Sequence, residues 1–360
     1  MAGDPVRPPF ASDTFARSMT PDGKLDPLNR EAPLDALAAP LTPTAHFYWR
    51  SHFPVPRVDA AAWRLRVEGE VAKPLALSLA ELMAMPRLTL AVTLECAGNG
   101  RSLMRPVPSG TPWGLAAVSS ADFTGVLLRD VLELAGPVPA AAEVLFEGAD
   151  RGPVEPGREE SYTRSLPLAV ALEGGALLAW EMNGEPLPAV HGFPLRLVVP
   201  GWYGMASVKW LAALRVLPEP FRGYFQAEHY VYVGEPGMPD GTPVTRVRVR
   251  SLIAAPGDRA AVPLGPVEVR GIAWSGAAPV ARVEVSADDG ATWAAAELGA
   301  PPSPYAAAPW RLAWHPPRRG EYELLARAAD AAGNEQPAAP VVNELGYGNT
   351  CVQRVRVSVV

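Results

Sequence analysis

From Trp63 the order WRLRVEGEV alternates apolar and charged side chains, and a period of two is what a strand with one buried face leaves in a sequence. The segment LTLAVTLEC is more continuously apolar, as a strand covered on both faces is, and it ends on Cys96. Helical signals are sparse. Ser78 followed by Glu81 forms a capping box that predicts a short helix through Met85, stopped by Pro86. Leu127, Leu128, Val131 and Leu134 share one helical face, so a second helix is expected over residues 125–135, with Thr124 as its cap and Gly136 as its stop. Residues 1–45 read as an extended, proline-punctuated lead-in lying on the surface, where only PLNREAPLDAL could form a short helix.

Around residue 240 the pattern changes. GEPGMPDGTP is rich in turn formers and poor in hydrophobes, the character of a segment joining two domains. Beyond it come short alternating runs: VTRVRVR, VEVRGIAW, ARVEVSADDGATW with a turn at Asp288 to Gly290, EYELLARAAD and VQRVRVSVV. Strands at this spacing predict an antiparallel sandwich of the immunoglobulin kind. The expected fold is therefore α+β and β-rich, with one domain over residues 1–240 and an immunoglobulin-like β-sandwich over 241–360. A chain of 360 residues is also too long for a single core.

Composition narrows the function. With 48% apolar and 19% charged residues the chain is globular. Its net charge of −6 is spread without basic runs, which excludes nucleic acid as a partner. The 41 prolines, roughly twice the average share, favour short strands and turns over long helices. No apolar run is long enough to cross a bilayer, so no membrane role is expected. The start MAGDPVRPPF shows neither a signal peptide nor twin arginines, which makes the expected location cytoplasmic as written, with the periplasm as the alternative. Cys96 and Cys351 are too far apart in sequence to suggest a disulfide framework. The five histidines have no HExxH or CxxC companions, so any metal must bring most of its own ligands.

In CAGNGR a cysteine at a strand end is followed by small residues, which let backbone approach a large ligand, and by Arg101 five positions on. A nearby guanidinium favours the thiolate, which is both the nucleophile and the soft metal ligand. A lone cysteine is more often a small hydrophobe in a turn. The chemistry of other segments decides between the two.

Four separated runs do so: FYWRSHFPVP, VTLECAGNGR, LLAWEMNGEPLPAVHGFPLRLVVPGWYGMASVKW and LGYGNTCVQRVRVSV. In this order they resemble the sulfite oxidase family of molybdenum enzymes over nearly the whole chain. The resemblance implies a molybdopterin cofactor (Mo-molybdopterin), whose dithiolene supplies two sulfurs to the metal while one protein cysteine, matched by Cys96, supplies another. It implies that His191, Arg196 and Lys209, with Ser207 and Val208 in the same SVKW run, hold the phosphate and pterin. Asp150 matches a carboxylate that accepts from pterin N–H groups, and Tyr48, Trp49, Arg50, Ser51 and His52 match the segment lying against the cofactor. Arg50 and Arg101 match arginines facing an oxyanion substrate, and Trp113 matches a tryptophan lining the pocket. Taken singly, Arg196 reads equally as a paired core charge, Lys209 as a snorkelling surface residue and Asp150 as a turn former.

The implied reaction is two-electron oxygen-atom transfer to a small oxyanion such as sulfite. Electrons then pass to an external acceptor such as a cytochrome c, and the C-terminal domain makes a homodimer. A reductase of sulfoxides or nitrate, or a binding homologue with weak turnover, are the alternatives. Two positions depart from the family pattern. Trp180 stands where the resemblance places a tyrosine whose hydroxyl faces the metal, and Pro279 where it places a third substrate arginine after WSGAA. Loss of one charge-assisted hydrogen bond costs about 1.5–3 kcal/mol, so these departures predict a retuned pocket that handles sulfite poorly.

Overall fold

A computed structural model describes residues 29–360, so most of the lead-in and the start MAGDPVRPPF lie outside the described residues. In what remains of the lead-in, Asn29–Arg30 pairs antiparallel with Trp49–Arg50, and Leu34–Ala38 forms a 3-10 turn that buries Leu37. The expected short helix is thus one tight turn.

Two sheets build the first part of the chain. In one, Leu88–Glu95 pairs with Val118–Leu127, which pairs with Leu177–Met182, all antiparallel, and Arg196–Val198 adds to the last of these. In the other, Leu65–Gly69 runs parallel to Leu211–Leu217, which pairs antiparallel with the long strand Glu143–Glu155 and so with Arg158–Pro167. The capping box is present: the Ser78 side chain accepts from the Glu81 N–H and starts the helix Leu79–Met83. The second helix is Leu128–Ala135, three residues shorter at its start than expected. Thr124 and Gly125 belong to the preceding strand, where the Thr124 hydroxyl bonds that of Thr89 at 2.8 Å. A Cβ at Gly125 would collide with the carbonyl of Leu178, so the strand crossing takes this residue.

The later segment forms two facing sheets. One contains Arg250–Ala255, Val267–Trp274 and Ala308–Trp314; the other contains Val280–Ser286, Gly320–Asp330 and Gln353–Val359. Val269, Val283, Leu324, Ala326 and Val355 fill the space between them. The tight turn is made by Asp289 and Gly290, both left-handed. VTRVRVR forms a regular strand only from Arg250 onward. Its earlier backbone groups bond the first part of the chain instead, with Tyr203 N donating to Thr245 O at 3.0 Å and Val247 N to Gly201 O at 3.0 Å. Val244, Val247, Ile272, Trp274 and Tyr347 accordingly join the larger core that also holds Val67, Phe146 and Leu214. The two parts share packing and do not merely touch.

Candidate active site

The strand Leu88–Glu95 ends as Cys96 leaves the sheet, its N–H donating to Ala117 O and its carbonyl accepting from Asn99 N, both at 2.9 Å. Gly100, at φ 83°, turns the loop in a conformation that glycine takes without strain. The thiol is buried, and burial pushes its pKa up; a backbone hydrogen bond from Gly98 and the charges of Arg50 and Arg101 pull it down less strongly. The sign expected of Arg101 therefore holds, but burial outweighs it. Coordination to a metal removes the thiol proton outright.

Beside Cys96 lies a cavity walled by the segment Tyr48 to His52, by Asp150 and Tyr162, by His191 and Arg196, and by Met205, Ser207, Lys209 and Tyr230. Lys209 Nζ donates to Ser51 Oγ at 2.8 Å and to Val190 O at 3.0 Å, and sits 4.2 Å from the Trp210 ring centroid. Arg196 Nη1 donates to His191 O at 3.1 Å. Among the described residues no carboxylate forms an ion pair with Arg50, Arg196 or Lys209. Asp150 Oδ1 is buried with no hydrogen-bond partner among the described residues. Burial pushes Asp150 up to about 6 against the pull of Lys209, and pushes Lys209 down to about 7 against the pull of Asp150. Buried charges lacking partners are costly, so the donor set suits a ligand that brings anionic oxygens for the cations and N–H groups for Asp150. A pterin phosphate carries both.

Around Arg50 and His52 the protons can be placed. Arg50 Nη2 lies 3.1 Å from His52 Nδ1, and a guanidinium can only donate, so Nδ1 accepts. Burial and Arg50 hold the His52 pKa well below its ordinary value, so the ring is neutral and its one proton sits on Nε2. Nε2 therefore donates to Tyr230 Oη across 2.7 Å. Burial keeps the tyrosine protonated, with its pKa pushed up to about 12, so its own O–H is free to donate.

Of the residues singled out from sequence, Tyr48, Trp49, Arg50, Ser51, His52, Cys96, Asp150, His191, Arg196, Ser207 and Lys209 line this cavity. Four do not. Val208 belongs to the larger core and does not line the cavity. Trp113 shares the small core around Cys96 but does not line the cavity. Arg101 is held away by Thr111 O at 2.8 Å and Leu345 O at 3.0 Å, with its guanidinium over Tyr347. Trp180 is buried on the far face of its strand: Leu177 and Ala179 face Cys96, while Leu178 and Trp180 face the larger core. Its substitution therefore does not remove a hydroxyl from the cavity, and Tyr230 supplies one from a different segment. Pro279 is exposed and also lies away from the cavity. Tyr162, Met205 and Tyr230 were not anticipated; the only sequence signal was the aromatic density of EHYVYV.

This architecture belongs to the molybdopterin-binding oxidoreductases. The family model described as "Oxidoreductase molybdopterin binding domain" matches residues 52–225, and that described as "Mo-co oxidoreductase dimerisation domain" matches 242–360. Sulfite oxidase of Gallus gallus is 39% identical, over 98% of this chain and 81% of its own. Mitochondrial sulfite oxidase of Homo sapiens is 38% identical, over 99% and 67%. The crystal structure of the sulfane dehydrogenase SoxCD from Paracoccus pantotrophus superimposes with a TM-score of 0.80 at 27% identity, covering 98% of this chain and 92% of that one. The chain belongs to the sulfite oxidase family, and its sandwich matches that family's dimerisation domain, in accord with the expected homodimer.

Proposed function

We propose that the protein oxidises sulfite, or a sulfur oxyanion of similar size, and passes the electrons singly to an external acceptor such as a cytochrome c. The observation that carries this reading is the cavity itself, where a buried thiol faces cationic side chains that no carboxylate among the described residues pairs with. On this reading residues 1–240 bind the cofactor and 241–360 pair two copies. Lys209, Arg196 and His191 would hold the phosphate and pterin, Asp150 would accept pterin N–H groups, and Cys96 would ligate the metal. When bound, the molybdenum cofactor supplies an exchangeable oxygen and a two-electron couple.

The remaining work falls to the chain. Arg50 attracts and orients the anion, and its hydrogen bonds to Ser51 O at 2.7 Å and Asn29 Oδ1 at 3.2 Å keep its guanidinium from swinging. The Tyr230 hydroxyl, aimed by His52, gives the oxyanion a second donor beside Arg50. Retention of this hydroxyl removes the argument from Trp180 for a poor response to sulfite. The test is steady-state kinetics with sulfite and ferricytochrome c on protein carrying one molybdenum per chain. A specificity constant in the ordinary enzymatic range of about 10⁴–10⁸ M⁻¹s⁻¹ is expected, and no sulfite-dependent reduction of the bound metal overturns the proposal.

A further inference from the structure

The loop that carries Cys96 is contributed by the first part of the chain and shaped by the second. Glu95, directly before the thiol, is buried, and both of its oxygens are taken. Oε1 accepts from Arg250 Nη1 at 3.0 Å and Asn99 Nδ2 at 2.9 Å, and Oε2 accepts from Trp274 Nε1 at 2.9 Å. Arg250 Nη1 also reaches Asn349 O at 3.1 Å. Gly348 N donates to Ala97 O at 2.8 Å, and Asn349 Nδ2 donates to Gly100 O at 2.7 Å. Two residues upstream of Glu95, Thr93 N donates to Tyr305 O at 3.0 Å and the Thr93 hydroxyl accepts from Ala307 N at 2.7 Å. Backbone or side-chain groups at positions 93, 95, 97 and 100 thus all end on residues beyond 240.

Stability alone does not call for an ion pair here. Arg250 is 0% and Glu95 1% exposed, and burying two charges carries a desolvation cost that well-packed apolar side chains avoid. What a guanidinium adds is direction, because the N–H groups of Nη1 are fixed in its plane and reach Glu95 Oε1 and Asn349 O together. The Cα that bears this carboxylate is one peptide unit from the Cys96 Cα.

We infer that Arg250 is a positioning residue for Cys96, acting through Glu95, so that the sandwich sets the orientation in which the thiolate meets the metal. This rests on the reading of Cys96 as the metal ligand. The sandwich is then part of the active site's scaffold as well as the dimerisation element.

The experiment compares native holoenzyme with Glu95→Gln, Arg250→Gln, the double variant and Arg250→Lys, at matched molybdenum content. Each single glutamine variant is expected to lose kcat roughly ten- to a hundredfold, with KM for sulfite nearly constant and an altered sulfur-to-molybdenum charge-transfer absorption. The double variant, which strands neither charge, is expected to return to within about threefold of native kcat and to regain the native absorption. Arg250→Lys keeps the charge and gives up the planar Nη1 group that joins Glu95 to Asn349, so it is expected to fold and to turn over more slowly than native. Native kcat in Arg250→Lys, unchanged absorption in single variants that lose only Tm, or a double variant no better than the singles, overturns the inference. Absence of molybdenum from the native protein after expression with cofactor supply overturns the functional reading instead. Cofactor-free chains still test the positioning: iodoacetamide is expected to alkylate Cys96, read by peptide mass mapping, roughly fivefold faster in the single variants, and equal rates overturn it.

Discussion

Replacing Cys96 by serine keeps nearly the same volume and removes the soft donor, so Cys96→Ser is expected to lose sulfite turnover while retaining pterin, read as the fluorescence of the released pterin. Turnover close to native refutes the ligand assignment. Residues whose chemistry is carried by a compact motif were legible in advance: His191 and Arg196 in HGFPLR, Lys209 in SVKW and Cys96 in CAGNGR all reach one cavity. Trp180 was misplaced because an apolar run such as LLAWEM leaves open which face of the strand each side chain takes. Tyr230 escaped notice because its importance depends on His52, 178 positions away in sequence. Arg101 shows a third limit, since its position in the loop could be read but its carbonyl partners at Thr111 and Leu345 could not.

At the scale of elements, strands with clear alternation were readable nearly to the residue, as in Val267–Trp274 and Gln353–Val359. Errors arose where tertiary pairing took residues that also fit another pattern. Leu127 lies on the helical stripe yet caps the helix from an extended conformation, and Gly125 is held in a strand by its neighbour Leu177–Met182. Gly125→Ala separates the two descriptions by sign. In a helix it would stabilise by about 1 kcal/mol, whereas against the Leu178 carbonyl it is expected to destabilise by about 1–3 kcal/mol, measured by denaturant unfolding. VTRVRVR failed for a related reason: its alternation was real, but its backbone groups are used across the join near residue 240.

For the whole molecule, shared packing makes acid stability a property of buried histidines. Burial in the cluster with Tyr224, Phe225 and Tyr230, aided by Arg50, lowers the His229 pKa from 6.5 to about 4. Above pH 6.5 the ring is neutral in both folded and unfolded chains. Below that, the unfolded chain binds a proton that the folded one refuses, so stability present above pH 6.5 is lost as pH falls towards 4, by up to about 3 kcal/mol. Urea midpoints between pH 7 and 4.5 should therefore fall, and His229→Gln should reduce the slope by the uptake of about one proton. An unchanged slope would show that His229 titrates freely.

The bond from Asn349 to the carbonyl of Gly100 spans 249 positions of sequence. At the pace of translation, that separation is a delay of roughly 10–50 s between the emergence of the Cys96 loop and the arrival of the residue that holds it. The Cys96 loop is therefore completed after synthesis has moved far beyond it, and on the proposed function the cofactor meets its finished form as a post-translational event.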